Sequence, residues 1–200
     1  MTPPPDDRRA WLLALGLAAL ASLLARLAPL EALIWQPALA GQQPWRFVSA
    51  AFAHWTPLHL AANLAGCAVL ALLGWRAGLG RREALAGLVA LPLTQAGLLL
   101  RPELQRYAGL SGELHALAVI AALALLARGG RERFVGAAIV AGLALKLALE
   151  QPWGPVLRAT AGFDFAVAPW AHLSGAVAGL LAWGLTMRRF SRPPRTSHGT

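Results

Sequence analysis

Apolar residues are concentrated in six stretches of the chain, and polar or irregular segments separate them. The stretches cover residues 10–28, 57–76, 83–100, 110–127, 133–149 and 169–187. Each is close to the roughly 20 residues that an α-helix needs to cross the hydrocarbon core of a bilayer. The pattern therefore predicts an all-α, polytopic membrane protein, whose six transmembrane helices we number one to six in chain order.

The composition indicates the same class of protein. Apolar residues make up 57% of the chain and charged residues only 14%, whereas about 25% of the residues in a soluble domain are charged. We divide the chain into a cytoplasmic segment 1–9, a six-helix membrane domain 10–187 and a basic tail 188–200, which we expect to be disordered. The first stretch is also compatible with a signal-peptide core. However, it carries Arg26 and lacks a clear cleavage site, so we interpret it as a helix.

The basic residues are distributed unevenly between the two sides of the predicted bundle. Twelve of the 18 lie in the N-terminal segment, in the second and fourth gaps between helices and in the C-terminal tail, whereas four lie in the other three gaps. This is the positive-inside pattern, so both termini are predicted to be cytoplasmic. The net charge of +9 then follows from membrane topology and gives no support to a nucleic-acid partner.

Polar residues cluster at the starts of helices two, four and six, which all enter the bilayer from the outer side in this topology. The clusters are His54, His59 and Asn63; Ser111 and His115; and His172 and Ser174. Polar groups inside a membrane are costly and mark functional sites by default. We therefore expect the three clusters to lie at one depth and to form a single site near the outer surface.

The candidate nucleophile is Ser111, which lies between Gly109 and Gly112 at the start of helix four. Glycines permit unusual backbone angles and close approach. A helix start leaves backbone N–H groups without partners, and these can stabilise the oxyanion that forms in acyl transfer. The alternative is a serine that only caps the helix.

The candidate base is His172, which shares one helix face with Gly175 and Gly179. Glycines at this spacing allow close contact between membrane helices, and contact with helix four would bring the imidazole to Ser111. A histidine can take the proton of a serine hydroxyl near neutral pH. No carboxylate is evident to orient His172, so we expect a Ser–His dyad. The alternative is a buried histidine bonded to a backbone carbonyl.

The histidines of helix two have two competing interpretations. His59 and Asn63 are one turn apart, so their side chains can complete an oxyanion site, and His54 lies in the preceding loop as a group that fixes it. Metal binding by His54 and His59 is the rival, but no acidic residue or cysteine lies near enough to complete a zinc site. Cys67 is the single cysteine, which excludes an internal disulfide. We expect neither a metal nor a cofactor.

Three further polar residues have open roles. His115 lies one turn after the serine, and we expect it to pack against His172, although it can itself be the base. Glu113 should point away from the serine, either reaching the outer surface or pairing with an arginine. Lys146 is one turn before Glu150, which favours a local ion pair over a Ser–Lys dyad.

Three short motifs, in this order and within a six-helix topology, resemble those of the rhomboid intramembrane serine proteases. The matching residues are His54, His59 and Asn63, then Gly109-x-Ser111-Gly112, then Ala171-His172-x-x-Gly175-x-x-x-Gly179. The resemblance implies that Ser111 is the nucleophile and His172 the base. It also implies an oxyanion site made by His59, Asn63 and the backbone at Leu110 and Ser111, in an aqueous cavity that opens to the outer face.

The string Gly-Leu-Ser-Gly-x-Leu-His at 109–115 is similar to that of a bacterial subfamily, the rhombosortases. Many rhomboids have a tyrosine where this chain has His115. The resemblance implies a location in the bacterial inner membrane, with the active site facing the periplasm. The implied substrates are exported proteins that end in a Gly-Gly motif, a membrane helix and a basic cluster. A catalytically inactive rhomboid-like protein that binds membrane helices is the alternative. A haem-binding or ion-conducting membrane protein would need histidines paired across the depth of the bilayer, whereas these histidines all lie at one end of the predicted helices.

Overall fold

The computed structural model describes the backbone of residues 5–190 and the side chains of residues 7–187. This part of the chain contains six long helices, two short helices and one small hairpin. The long helices are α1 (Pro5–Leu24), α4 (Pro57–Ala77), α5 (Arg81–Ala96), α6 (Ser111–Arg128), α7 (Gly130–Glu150) and α8 (Pro169–Phe190). The short helices are α2 (Leu30–Leu33) and α3 (Arg46–Phe52), and the hairpin pairs β1 (Arg158–Ala159) with β2 (Ala166–Val167).

The six long helices overlap the six apolar stretches, and the bounds differ most at the two ends of the chain. Helix α1 begins at Pro5, so the predicted boundary at residue 10 falls inside it. At the other end, α8 continues to Phe190, and most of the tail predicted to be disordered, residues 191–200, lies outside the described residues. Short 3₁₀ turns, Ala25–Leu27 and Gly97–Leu100, extend α1 and α5.

Four of these helices are long and apolar enough to cross a membrane. They are Asp7–Leu27, Pro57–Ala77, Arg81–Leu100 and Ser111–Arg128. Helix α7 has a similar length, but charged residues lie near both of its ends. The described residues thus form a mostly helical, polytopic fold, and the crossing of the bilayer by all six long helices stays a prediction.

Helix α6 is the centre of the bundle. In its apolar window 50% of the residues are buried within the protein, against 17% in the window of α1. Small buried residues such as Ala116, Ala121 and Ala124 line α6, and small side chains let neighbouring membrane helices approach closely. Any group at the first turn of α6 is therefore held by helices on several sides.

The segment between α1 and α4 forms a structured loop, which we call the outer loop after the side of the membrane predicted for it. Arg46 is buried and donates hydrogen bonds to Gln43 Oε1 at 2.6 Å and to the carbonyl oxygen of Glu31 at 2.9 Å. Trp35 is fully buried and exchanges backbone hydrogen bonds of 2.8 and 3.2 Å with Tyr107. This bridge ties the outer loop to the strand-like segment that leads into α6.

Candidate active site

The backbone before Ser111 is fixed by bonds to the outer loop. The N–H of Gly109 donates to the carbonyl of Ala50 at 3.0 Å, and the Tyr107 hydroxyl donates to the carbonyl of Gly109 at 2.8 Å. Gly109 has a backbone φ angle of +133°, which residues other than glycine rarely adopt. The chain can thus turn sharply into α6, whose first residue is Ser111.

Glycines bring α8 into direct contact with the first turns of α6. A Cβ atom at Gly175 would overlap the carbonyl oxygen of Gly112, and one at Gly179 would lie 2.5 Å from the carbonyl oxygen of Ala116. A Cβ at Gly112 would lie 2.9 Å from the carbonyl oxygen of Ala171. Larger residues at these positions would separate the helices. The predicted glycine-lined contact is therefore present.

This contact brings the predicted nucleophile and base together. The Oγ atom of Ser111 lies 3.0 Å from Nε2 of His172, and His172 is buried. Nδ1 of His172 lies 2.7 Å from a Glu150 carboxylate oxygen and donates to it, so Nε2 of the neutral ring accepts from the Ser111 hydroxyl. The two side chains come from helices that start at the same end of the bundle, as the topology predicts.

His115 packs against the imidazole of His172 rather than against the serine hydroxyl. The two rings are stacked, with centroids 4.2 Å apart and an interplanar angle of 15°. Nδ1 of His115 lies 2.7 Å from the backbone carbonyl oxygen of Ser111 and must donate to it. The contact predicted for His115 is thus observed, and its role in turnover stays a prediction.

A carboxylate lies at the other nitrogen of His172, so the premise that none is placed to orient this ring is wrong, and the dyad itself stays a prediction. Oε2 of Glu150 lies 2.7 Å from Nδ1 of His172, and its other oxygen pairs with the Lys146 ammonium. The predicted ion pair between Lys146 and Glu150 is confirmed. Their place beside His172 was missed because Glu150 is 22 residues away in sequence. A signal was available, since the predicted topology ends helix five at the outer side, where the polar clusters start.

His59 presents a donor nitrogen to the cavity. Its Nδ1 accepts a hydrogen bond from the backbone N–H of Trp55 at 3.4 Å, so its remaining proton is on Nε2. The ring stacks on Phe165 of the hairpin loop, with centroids 4.1 Å apart and an interplanar angle of 17°. A Cβ at Gly109 would lie 2.7 Å from His59 Nε2, which places this donor beside the backbone that precedes Ser111.

Of the two further residues predicted for the oxyanion site, Asn63 lines the cavity and Leu110 does not. The Asn63 amide lines the same cavity as Ser111 and donates one hydrogen bond to the His59 carbonyl at 3.1 Å, so its second N–H remains available. The side chain of Leu110 is buried in the core. Leu110 directly precedes α6, so it can contribute only through the backbone at the start of this helix, where N–H groups lack intrahelical acceptors.

His54 is buried in the loop before α4 and serves to hold it. Its Nδ1 donates to the carbonyl oxygen of Phe52 at 3.0 Å, and its ring meets the ring of His59 edge-on at 4.9 Å. Burial lowers the pKa of His54 to about 4, although the hydrogen bond to Phe52 opposes this shift. His54 is therefore neutral at physiological pH, which fits the predicted loop-fixing position.

A cavity of about 440 Å³ joins these groups to apolar side chains of the 151–168 loop. Its lining includes Ser111, His172, His59 and Asn63 on one side and Leu157, Phe163 and Phe165 on the other. Thr56 caps α4 by accepting from the His59 N–H at 3.0 Å, and its hydroxyl donates to Asp164 at 2.7 Å. The loop is thus attached directly to the start of α4.

Comparison with known protein families assigns most of the chain to one of them. Residues 41–189 match the Rhomboid domain. The chain belongs to the rhomboid family. The same comparisons found no match among curated proteins or solved structures. Rhomboids are intramembrane serine proteases that act on transmembrane substrates, and this rhomboid is an integral membrane protein, in agreement with its apolar helices. The family assignment covers all three polar clusters.

The geometry of this rhomboid site is poorly suited to a metal ion. His115, Glu150 and His172 have potential ligand atoms within 4.8 Å of one another. However, imidazole lone pairs lie in the ring plane, and these two rings are stacked 4.2 Å apart. An ion at the usual distance of about 2.0–2.1 Å in the plane of one ring would lie outside the plane of the other. Among the described residues, no group of three potential ligands includes His54 or His59.

Glu113 lies on the opposite side of α6 from the rhomboid site. It points away from Ser111, as predicted. However, it does not reach the surface, and no arginine within residues 7–187 forms an ion pair with it, so neither predicted role is found in the described part of the chain. Its side chain is buried, lines a separate cavity of about 370 Å³ between α1, α5 and α6, and has an Oε2 atom with no hydrogen-bond partner in residues 7–187. Gly87 of α5 lies beside it: a Cβ there would lie 3.8 Å from Glu113 Oε1, an ordinary contact, but only 2.6 Å from Cδ2 of Leu117.

Proposed function

We propose that this rhomboid is an active intramembrane serine protease, with Ser111 as nucleophile and His172 as base. The observation that carries the proposal is the 3.0 Å contact between Ser111 Oγ and His172 Nε2 at the wall of a cavity. A structural pair buried for packing alone would have no reason to border such a cavity or to lie beside His59 and Asn63.

The reaction follows from the positions of the donors and acceptors. As Ser111 Oγ attacks the substrate carbonyl carbon, His172 Nε2 takes the hydroxyl proton and later gives it to the leaving amine. Negative charge forms on the carbonyl oxygen, and His59 Nε2–H, the free N–H of Asn63 and backbone N–H groups at the start of α6 are available to stabilise it. Water then hydrolyses the acyl-enzyme, so the cavity must admit water.

The substrate class follows from the apolar lining and the site's place at helix ends. We propose that the substrates are transmembrane segments cut near the periplasmic face of a bacterial inner membrane, with all six long helices spanning it and both termini in the cytoplasm. A peptide bond in an intact helix is shielded, whereas glycine weakens a helix by about 1 kcal/mol relative to alanine. A Gly-Gly motif before a membrane helix and a basic cluster would unwind easily into the cavity, as in the sorting tails of rhombosortase substrates.

Two measurements on the purified, reconstituted protein test this function. A fluorophosphonate probe should label the wild type and the Ser22→Ala control at the same rate, and it should leave Ser111→Ala unlabelled. A substrate with a C-terminal Gly-Gly motif, apolar helix and basic cluster should be cut near the glycines, and replacement of both glycines by leucine should reduce cleavage about tenfold or more. Labelling of Ser111→Ala at the wild-type rate would refute the assignment of the nucleophile. Equal cleavage of the two substrates would refute only the proposed sorting-tail preference.

A further inference from the structure

Ser111, His172, Glu150 and Lys146 form a continuous chain of polar contacts. The Ser111 hydroxyl lies at Nε2 of His172, and Glu150 Oε2 lies 2.7 Å from Nδ1. The Lys146 ammonium pairs with Glu150 Oε1 and lies farther from Nδ1, at 3.4 Å. The His172 side chain is 7% exposed and that of Glu150 is 23% exposed. A partly shielded carboxylate with both oxygens engaged is held in one orientation, and it therefore dictates which nitrogen of the imidazole carries the proton.

We propose that Glu150 is a positioning residue for the base His172. Lys146 holds one carboxylate oxygen of Glu150 and thereby directs the other oxygen at His172. This inference rests on the proposed protease function. An ionised carboxylate only accepts hydrogen bonds, so His172 must donate from Nδ1 and leave Nε2 as the acceptor for the Ser111 proton. During attack the proton moves from Oγ to Nε2. Glu150 stays ionised and stabilises the imidazolium, while Lys146 remains a donor throughout.

The position of Lys146 gives this proposal an unusual consequence for the substitution Glu150→Gln. An ammonium only donates, so Lys146 would hold the amide oxygen on its own side. The amide NH₂ would then face Nδ1 of His172 and require it to accept. The proton would move to Nε2, where it blocks transfer from Ser111. The isosteric glutamine should therefore be more damaging than alanine, which removes the carboxylate without imposing the wrong tautomer.

The first readout is the rate of fluorophosphonate labelling in reconstituted protein. Glu150→Gln should lower this rate by on the order of 10³-fold, Glu150→Ala by on the order of 10²-fold, and Glu150→Asp by less than either. Adding Lys146→Met to Glu150→Gln frees the amide to turn its oxygen toward His172, and should recover the rate at least about tenfold. The matched control is Glu103→Gln, which changes a glutamate in the loop between α5 and α6 that pairs with Arg101 outside the site and should leave the rate unchanged.

The second readout does not depend on activity. Nitrogen-15 NMR of histidine-labelled protein reports which ring nitrogen is protonated, and the His172 signals are assigned by their loss in His172→Ala. Wild type should show the proton on Nδ1, Glu150→Gln should show it on Nε2, and the double variant should shift back toward Nδ1. An unchanged tautomer in Glu150→Gln would overturn the inference, whatever the labelling rate. A tautomer that switches in a protein that the probe never labels would support the inference and refute the proposed protease function instead.

Discussion

The first turns of α6 carry polar groups on two opposite faces, and these groups differ in whether they have hydrogen-bond partners. Toward α7 and α8, the Ser111 hydroxyl and both ring nitrogens of His172 have partners at 3.0 Å or less. Toward α1 and α5, the Glu113 carboxyl is buried among leucine and alanine side chains, and one of its oxygens lacks a hydrogen bond within residues 7–187.

The polar groups on the first face satisfy one another by hydrogen bonds, whereas the Glu113 carboxyl on the second face lowers the stability of the fold. Burying a polar group without a partner costs roughly 1–3 kcal/mol, and more for a charge. The face toward α8 avoids this cost through a chain of bonds from Ser111 to Lys146, which only a particular arrangement of three helices can produce. The face toward α1 shows no such arrangement. We therefore expect changes on the first face to affect turnover and changes on the second to affect stability.

The largest expected effect is on Ser111 and His172, the proposed nucleophile and base. Ser111→Ala and His172→Ala should each reduce cleavage of a transmembrane substrate to background, because each removes one end of the proton transfer. The double variant should be no worse than either single variant, since the two side chains act as one unit. Cleavage is measured with reconstituted protein, and thermal unfolding in detergent checks that the variants fold. Additive defects in the double variant would show that the two residues act independently.

The next effect concerns charge stabilisation in the same cavity. Asn63→Ala should lower turnover by about 10- to 1000-fold, the scale of losing one oxyanion donor, with little change in substrate affinity. Chelators should leave wild-type turnover unchanged, because the stacked rings of His115 and His172 do not converge on one ion. The control is Asn63→Asp, which keeps the size but replaces the donor by an acceptor, and should be at least as slow as alanine. Loss of activity in chelator, restored by zinc, would contradict this reading.

Much of this arrangement could be predicted from the sequence, for a physical reason. Helix positions follow from apolar stretches of bilayer length, and the shared depth of three polar clusters follows from the alternation of basic loops. The glycines at 175 and 179 marked the face of α8 that meets α6, and a Cβ at either position would collide with backbone atoms of that helix. Local spacing was therefore sufficient to bring Ser111 and His172 together.

The features that were missed depend on how separate elements pack. Spacing along α7 predicted the Lys146–Glu150 pair, but only the packing of α7 beside α8 shows that the pair lies at Nδ1 of His172. The two-residue strands of the 151–168 loop are too short to show an alternating pattern in the sequence. Arg158 holds this loop by donating to the last carbonyls of α7, a contact between separate elements. Glu113 was expected to reach the outer surface or to pair with an arginine, since acids are rarely buried without a partner, and no local signal showed that it would be buried among apolar side chains.

A smaller effect is expected at His115, whose ring stacks on that of His172, the proposed base. His115→Tyr should stay within about tenfold of wild-type turnover, because an aromatic ring can stack on His172 in the same way. His115→Ala should lose on the order of 100-fold, since removal of the ring leaves the imidazole free to move from its productive position. Steady-state cleavage of one transmembrane substrate by the three proteins decides this. An inactive His115→Tyr beside an active His172→Ala would instead make His115 the base.

The smallest effect on turnover, and the opposite sign for stability, is expected on the far face of α6. Glu113→Met keeps an unbranched side chain of similar length beside Gly87 and removes the unpaired carboxyl. It should raise the free energy of unfolding by on the order of 1–3 kcal/mol. It should change the cleavage rate less than about twofold, because Glu113 faces away from Ser111 and His172.

The matched control is Glu83→Met on α5, where the carboxylate accepts from the Gly80 N–H at 2.8 Å. That change removes a helix cap and should lower stability by about 0.5–2 kcal/mol. Unfolding measured in the same detergent compares the two glutamates directly. A Glu113→Met protein less stable than wild type would show that the buried carboxyl has a stabilising partner, and it would remove the contrast between the two faces of α6.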